Sequence, residues 1–245
     1  FFQAKYKRHT NFAMENIEQT VNGTAANSGR VSVTVARNGD LVGDMYIQLE
    51  SDEATTTTTG TNTTSDADCN WVAERAINNV ELSIGGQRID KHYQKWWRMY
   101  SELYLDESKK ATWGKMTTAG DGKTVYLPLI FFFNRNPGLY LPLIALQYHE
   151  VRLDFDLASN FTTYLNAGVF KVWANYVYLD TEERRRFAQK GHEYLIEQVQ
   201  HTGTDTVTSA GTKQVRLSYN HPVKELVWCF SNTQTNNGMW NFTTA

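Results

Sequence analysis

Short β-prone runs closed by turn residues recur along this chain, and that recurrence restricts the fold more than any other feature. Phe12 to Val21, Arg30 to Ala36 and Leu41 to Leu49 are separated by Asn22-Gly23 and by Asn38-Gly39-Asp40, residues that readily adopt the backbone of a tight turn. In Val31-Ser32-Val33-Thr34-Val35 apolar and polar residues alternate strictly, so one face meets a core and the other solvent. Aromatic residues make up 13% of the chain and there are only 4 Pro, a balance that favours strands with bulky cross-strand pairs over helical bundles. An all-β architecture follows.

Ser51 to Asp68 is built from Thr, Ser, Asp and Gly without apolar periodicity, which predicts a long exposed loop. Ala76 to Ile84 returns to strand character and Gly85-Gly86 marks a turn. Trp96, Met99, Tyr100 and Leu103 recur at helical spacing and predict a helix over His92 to Leu105, with the Trp96-Trp97 pair in the core. Asp106 to Lys123 reads as a second polar loop, and Val125 to Phe133 as a buried strand ended by Asn134-Arg135-Asn136-Pro137-Gly138. Leu139 to Leu146 contains Pro142 and reads as irregular or as a short helical turn. The strands Gln147 to Leu157 and Val169 to Leu179 then complete a first β domain over residues 1–179.

Asp180-Thr181-Glu182-Glu183 opens a short helix to about Gln189, with Asp180 as N-cap and Glu183 as its capping-box partner. Glu182 can pair with Arg185 and Arg186 one turn on. Residues 180–191 are thus a linker, and from 192 to 245 the β pattern restarts in Tyr194 to Gln200, Gln214 to Tyr219 and Val223 to Phe230. Three strands are too few to close a sandwich, so the second unit is expected to be incomplete. The start at Phe1-Phe2-Gln3, with neither Met nor a signal-peptide pattern, reads as a segment of something longer.

Composition excludes several classes of function. Lys and Arg total 24 against 26 for Asp and Glu, a net charge of −2, so no global basic field is available to hold nucleic acid and any anionic contact is local. The longest apolar runs, such as Leu127 to Phe133, fall well short of the roughly 20 residues that span a bilayer. Cys69 and Cys229 form no disulfide framework, which fits a reducing compartment. Gly120-Asp121-Gly122-Lys123-Thr124 ends like a phosphate-binding loop, but Thr117 stands where that motif needs its first glycine, so the segment reads as a hairpin turn. No two of His9, His92, His149, His192, His201 and His221 have the spacing of a local metal pair. Asp154 and Asp156 share one strand face and read as solvated charge. Lys5-Tyr6-Lys7-Arg8-His9 is a small basic cluster on a terminal segment, and four N-glycosylation sequons would matter only in a secretory lumen. Catalytic, cofactor-binding and metal-ligating residues are therefore all expected to be absent.

At this point the sequence resembles a known family, the double jelly-roll major capsid proteins of large nucleocytoplasmic DNA viruses, including those infecting algae. The resemblance rests on Tyr6 to Glu15, on Gly85 to Asp90 with the Trp96-Trp97 helix, and most specifically on Leu127 to Phe133 through Asn134, Arg135, Asn136, Pro137 and Gly138 to Gln147, Tyr148, His149, Glu150 and Val151. Leu179 to Ala188, with Asp180, Glu183, Arg184, Arg185 and Arg186, is similar to the helix that joins the two jelly rolls, and Asn220 to Leu226 to the early second one.

The resemblance implies a structural protein without catalysis or cofactor. It implies two jelly rolls per subunit, three subunits in a pseudo-hexagonal capsomer, and contacts with neighbouring capsomers and minor capsid proteins in an icosahedral virion shell assembled in the host cytoplasm. The Ser51 to Asp68 loop would then face outward or cap the trimer. The rivals are a carbohydrate-binding or glycan-hydrolysing jelly-roll module, marked by exposed Trp or a catalytic carboxylate pair on a concave sheet face, and a minor capsid component of the same fold.

Overall fold

The structure, a computed structural model, describes residues 9–51, 71–119, 124–207 and 212–230. The expected outward loop beyond Ser51, the basic cluster up to Arg8, Cys69 and the Gly120 to Lys123 turn lie outside those residues.

The first part of the chain folds into two antiparallel sheets. The strands are β1 (Phe12–Gln19), β2 (Val21–Asn22), β3 (Arg30–Thr34), β4 (Leu41–Ser51), β5 (Ile77–Ile84), β6 (Gln87–Tyr93), β7 (Thr124–Pro128), β8 (Leu141–Pro142), β9 (Val151–Leu157) and β10 (Leu165–Leu179). One sheet has the order β1-β10-β4-β7, with β8 also on β4, and the other β2-β3-β9-β5-β6. Strands adjacent in space are mostly distant in sequence, the wrapped connectivity of a jelly roll. The single strand expected over Phe12 to Val21 is split: β1 lies in one sheet and β2 in the other, so the chain changes sheets at Thr20. Two sheets packed face to face need such corners.

Period-two alternation decides which residues meet between the sheets. Val31 and Val33 of β3, Val80 and Leu82 of β5, and Leu153 and Phe155 of β9 are fully buried. Opposite them lie Ile47 and Leu49 of β4, Val125 and Leu127 of β7, and Val172 and Ala174 of β10, equally buried. Tyr176 belongs to the same layer and keeps its hydroxyl satisfied by donating to the Ala36 carbonyl at 2.6 Å, with the Gln19 side-chain oxygen at 3.0 Å. Gly43 is needed for packing: a Cβ there would sit 2.3 Å from the Tyr140 ring.

Several elements depart from the sequence reading. The strand expected over Val125 to Phe133 ends at Pro128, and Leu129 to Phe133 continue as a buried turn. The turn persists because the Asn134 side chain accepts from the Phe131 N–H at 3.2 Å and donates to the Gly43 carbonyl at 2.7 Å. The loop expected over Asp106 to Lys123 contains a helix, Glu107–Thr117, capped by Asp106 through the Lys109 N–H at 2.7 Å. Only Trp113 and Thr117 of that helix are buried, too narrow a stripe for a periodicity reading. The runs Tyr194 to Gln200, Gln214 to Tyr219 and Val223 to Phe230 carry no strand among the described residues. Alternation favours a strand only where a free edge pairs with it, and here Leu195, Trp228 and Phe230 stay 75–86% exposed.

Three helices, α1 (Val72–Arg75), α2 (Gln94–Tyr104) and α3 (Glu107–Thr117), pack on one another and against β5, β6 and β7, and a short helix α4 (Phe161–Tyr164) precedes β10. The face of α2 that is buried is Trp97, Arg98 and Ser101, while Leu103, expected in the apolar stripe, is 56% exposed. A buried arginine invisible to hydropathy rotates the helix. Arg98 sits 4.5 Å above the Trp71 ring, pairs with Glu102 and lies 3.7 Å from Glu74, which also accepts from the Trp113 indole N–H.

Burial pushes the Glu74 carboxyl up to about 7, against the opposing pull of Arg98. The folded state therefore holds this proton more tightly than the unfolded chain, and stability falls as pH rises from the ordinary carboxylate range through 7. We expect wild type to lose about 3 kcal/mol relative to Glu74→Gln between pH 4.5 and pH 7.5, from about 1.4 kcal/mol per pKa unit. Urea unfolding across that range measures it, and parallel pH profiles for the two proteins would contradict it.

Candidate assembly surface

The residues singled out from sequence fall at one end of the sandwich and along its exit helix. Asn134 is 7% exposed and acts inside, tying the buried turn to β4. Asn136 caps the 3-10 turn Pro137–Leu139 by accepting from the Gly138 N–H at 2.9 Å, and Pro137 supplies a preset φ at its first position. These two residues shape the loop. Arg135 points outward and meets Glu197 at 3.2 Å.

Gln147 to Glu150, expected to begin a strand, form a turn ahead of β9. The cause is Arg37, whose guanidinium donates to the carbonyls of Leu146, Gln147 and His149, the last at 3.2 Å. With its carbonyls turned to Arg37, the segment cannot pair as a strand. Glu150 accepts from the Thr34 hydroxyl at 2.7 Å, His149 packs over Gly85 at φ +60°, and Tyr148 is 88% exposed. No local sequence pattern points to Arg37, which lies more than a hundred residues from the turn it holds.

The exit helix α5 (Thr181–Gln189) starts at Asp180, whose carboxylate accepts from the Thr181 N–H at 2.7 Å. Glu183 does not close a capping box; it pairs with Arg186 at 3.2 Å, and Glu182 reaches Arg186 at 4.0 Å. Arg185 makes no ion pair among the described residues. Arg184 is the anchor. Its guanidinium meets the buried Asp40 carboxylate at 2.9 Å, and Asp40 also accepts from the Leu179 N–H at 2.7 Å. The sequence marks Asp40 only as a turn residue.

Beyond α5 the chain runs back over the first sandwich. Tyr194 donates to the Tyr140 carbonyl at 2.9 Å and lies edge-on to Phe132. Glu197 stands between Arg135 and Lys224, and the Lys224 hydrogen bond holds its carboxyl below the usual range. The Val199 N–H donates to Asp90 at 3.0 Å, and Tyr104 donates to Glu225.

The outer face of the β1-β10-β4-β7 sheet carries an aromatic row. Trp173 stacks on Tyr46 with centroids 6.4 Å apart, and Tyr126 meets Tyr46 edge-on at 5.8 Å. Trp173 donates to Gln48, and Asn16 donates to the Tyr46 hydroxyl, both at 2.7 Å. Phe12 and Met14 on β1 are 64% and 52% exposed. Aromatic rings with amide neighbours are the chemistry of protein contact surfaces. Asp154, expected as solvated charge, is 8% exposed and faces Arg152 and Arg30. Among the described residues no group of three His, Cys, Asp or Glu is placed to hold a metal.

The fold and these surfaces define the class first. A chain of the solved PBCV-1 virus capsid superposes on 90% of this chain with a TM-score of 0.74 and 44% identity, covering 56% of that chain. The Faustovirus major capsid protein, at 10% identity and a TM-score of 0.59, shares the fold alone. The framework is that of a viral capsid jelly roll.

Family models then narrow it. Residues 1–180 match the major capsid protein N-terminus, and residues 183–245 match the large eukaryotic DNA virus major capsid protein. The major capsid protein of Paramecium bursaria Chlorella virus 1 is 45% identical over 248 residues, covering 93% of this chain and 55% of that protein. That of Pyramimonas orientalis virus is 43% identical, covering 93% of this chain and 59% of that protein. The chain belongs to the major capsid protein family of large eukaryotic DNA viruses, and it spans a little over half the length of these relatives.

The anchoring by Asp40 can be tested by stability. We expect Asp40→Ala to cost about 2–3 kcal/mol, because it strips a buried acceptor from the Leu179 N–H and from Arg184. Arg184→Ala, half exposed, should cost no more than about 1 kcal/mol. Denaturant titration of the two variants checks the order, and equal losses would contradict it.

Proposed function

We propose that this chain is part of a structural subunit of a large DNA virus shell, located in the virion and acting through contacts rather than chemistry. The observation that carries this reading is the superposition on a chain of a virus capsid over nine-tenths of the sequence at 44% identity. The architecture supports it: a sandwich with a buried apolar core and tied end loops is a rigid block, as tiling requires.

In this reading residues 1–179 are the first jelly roll, 180–191 the linker and 192–245 the opening of a second. The exposed Leu195, Trp228 and Phe230 would be covered as the second jelly roll is completed by further chain. Three subunits then form a pseudo-hexagonal capsomer, which meets neighbouring capsomers and minor capsid proteins during assembly in the host cytoplasm. The aromatic outer sheet face with Phe12 and Met14 supplies a lateral contact of the right chemistry. No enzymatic activity, cofactor or specific nucleic-acid recognition is part of the proposal.

Size-exclusion chromatography with light scattering on the full-length polypeptide tests the assembly step. A mass of three subunits that survives dilution is expected. A stable monomer would overturn the trimer.

A further inference from the structure

One cleft lies beside the Val199 to Asp90 hydrogen bond. It has a volume of about 530 Å³ and lies between strand β6 and the returning chain, with Arg88, Lys91 and Tyr93 on one wall and Arg216, Ser218 and Asn220 on the other. Its walls are fixed to each other. The Val199 N–H is held by Asp90, and Gln200 and Asn220 exchange hydrogen bonds at 3.0 and 3.2 Å.

The lining carries three cations, Arg88, Lys91 and Arg216, against one acid, Asp90. Arg88 and Lys91 share a single carboxylate, Glu81 of β5, at 3.9 and 3.6 Å. Arg216 has no carboxylate partner among the described residues. Asp90 is the one acid in the lining, and it is 2% exposed with its oxygens occupied by His92 at 2.9 Å and by the N–H groups of Lys91 and Val199. His201 leans on the Tyr93 ring at 4.8 Å, and both rings border the cavity. At the rim His221 adopts φ +70°, a left-handed backbone that a non-glycine residue rarely takes.

We propose that this cleft is a binding site for a small, multiply charged phosphate-type anion. The volume falls within the range of small-molecule sites. The guanidinium of Arg216 is matched to paired oxyanion oxygens, Arg88 and Lys91 add charge, and Ser218 and Asn220 add neutral donors. A chain of net charge −2 draws no anion over its whole surface, so any such attraction is local, as at this cleft.

Isothermal titration of the full-length polypeptide with inorganic pyrophosphate at low salt tests the site. Saturable binding is expected, with inorganic sulfate weaker, and raising the salt should weaken it because the cations are partly exposed. Arg216→Gln and Arg88→Gln should each weaken pyrophosphate binding by about tenfold, the loss of one charge-assisted contact. Lys171→Gln, on the opposite sheet, should leave affinity within about twofold. Thermal melting of each variant keeps folding separate from binding. Absence of saturable binding, or losses no larger for the cleft variants than for Lys171→Gln, would overturn the proposal.

Discussion

A buried carboxylate needs partners, and Asp40 finds them at the end of β10 and in the helix that follows it. It sits just ahead of β4, accepts the N–H of Leu179 at the end of β10, and holds Arg184 of α5. Its own N–H donates to the Val177 carbonyl at 3.0 Å, so main chain and side chain grip the same strand end. The direction in which the chain leaves the first sandwich is set here. The described residues after 180, including the returning segment over Tyr140, Arg135 and Asp90, depend on that exit.

The same economy governs the loops. Asn134, Arg37 and Asn136 are polar side chains bonded to main-chain groups; the first two turn stretches with strand-like composition into defined turns, and the third caps the turn at Pro137–Leu139. The buried turn Leu129 to Phe133 shows the balance: five apolar residues enter the core beyond the end of β7, with the Leu129 N–H on the Met45 carbonyl at 2.9 Å and the Phe131 N–H on the Asn134 side chain at 3.2 Å. Loop ends tied to the sandwich in this way fit the structural role proposed above.

Much of the fold was legible in the sequence because alternation is a local property. The strand around Val31 to Val35, the strand before Gly85-Gly86, the capped helix after Asp180 and the buried Trp97 all stand where their patterns place them. What escaped reading was non-local or polar. The roles of Arg37 and Asp40 depend on partners more than a hundred residues away, and Arg98 is buried only because Glu74, Glu102 and Trp71 surround it. Alternation in Val215 and Leu217 is real, but a strand also needs an edge to pair with, and the described residues offer none there. Family membership was legible through the extended block from Leu127 to Val151, not through any catalytic residue.

If this chain is wall material, its abundance must match that task. Quantitative mass spectrometry of purified virus particles would measure it directly. The polypeptide carrying these residues should be the most abundant protein of the particle, since a shell is built from many copies of one block. Its absence from purified particles, or its presence only in trace amounts beside another abundant shell protein, would contradict the structural role.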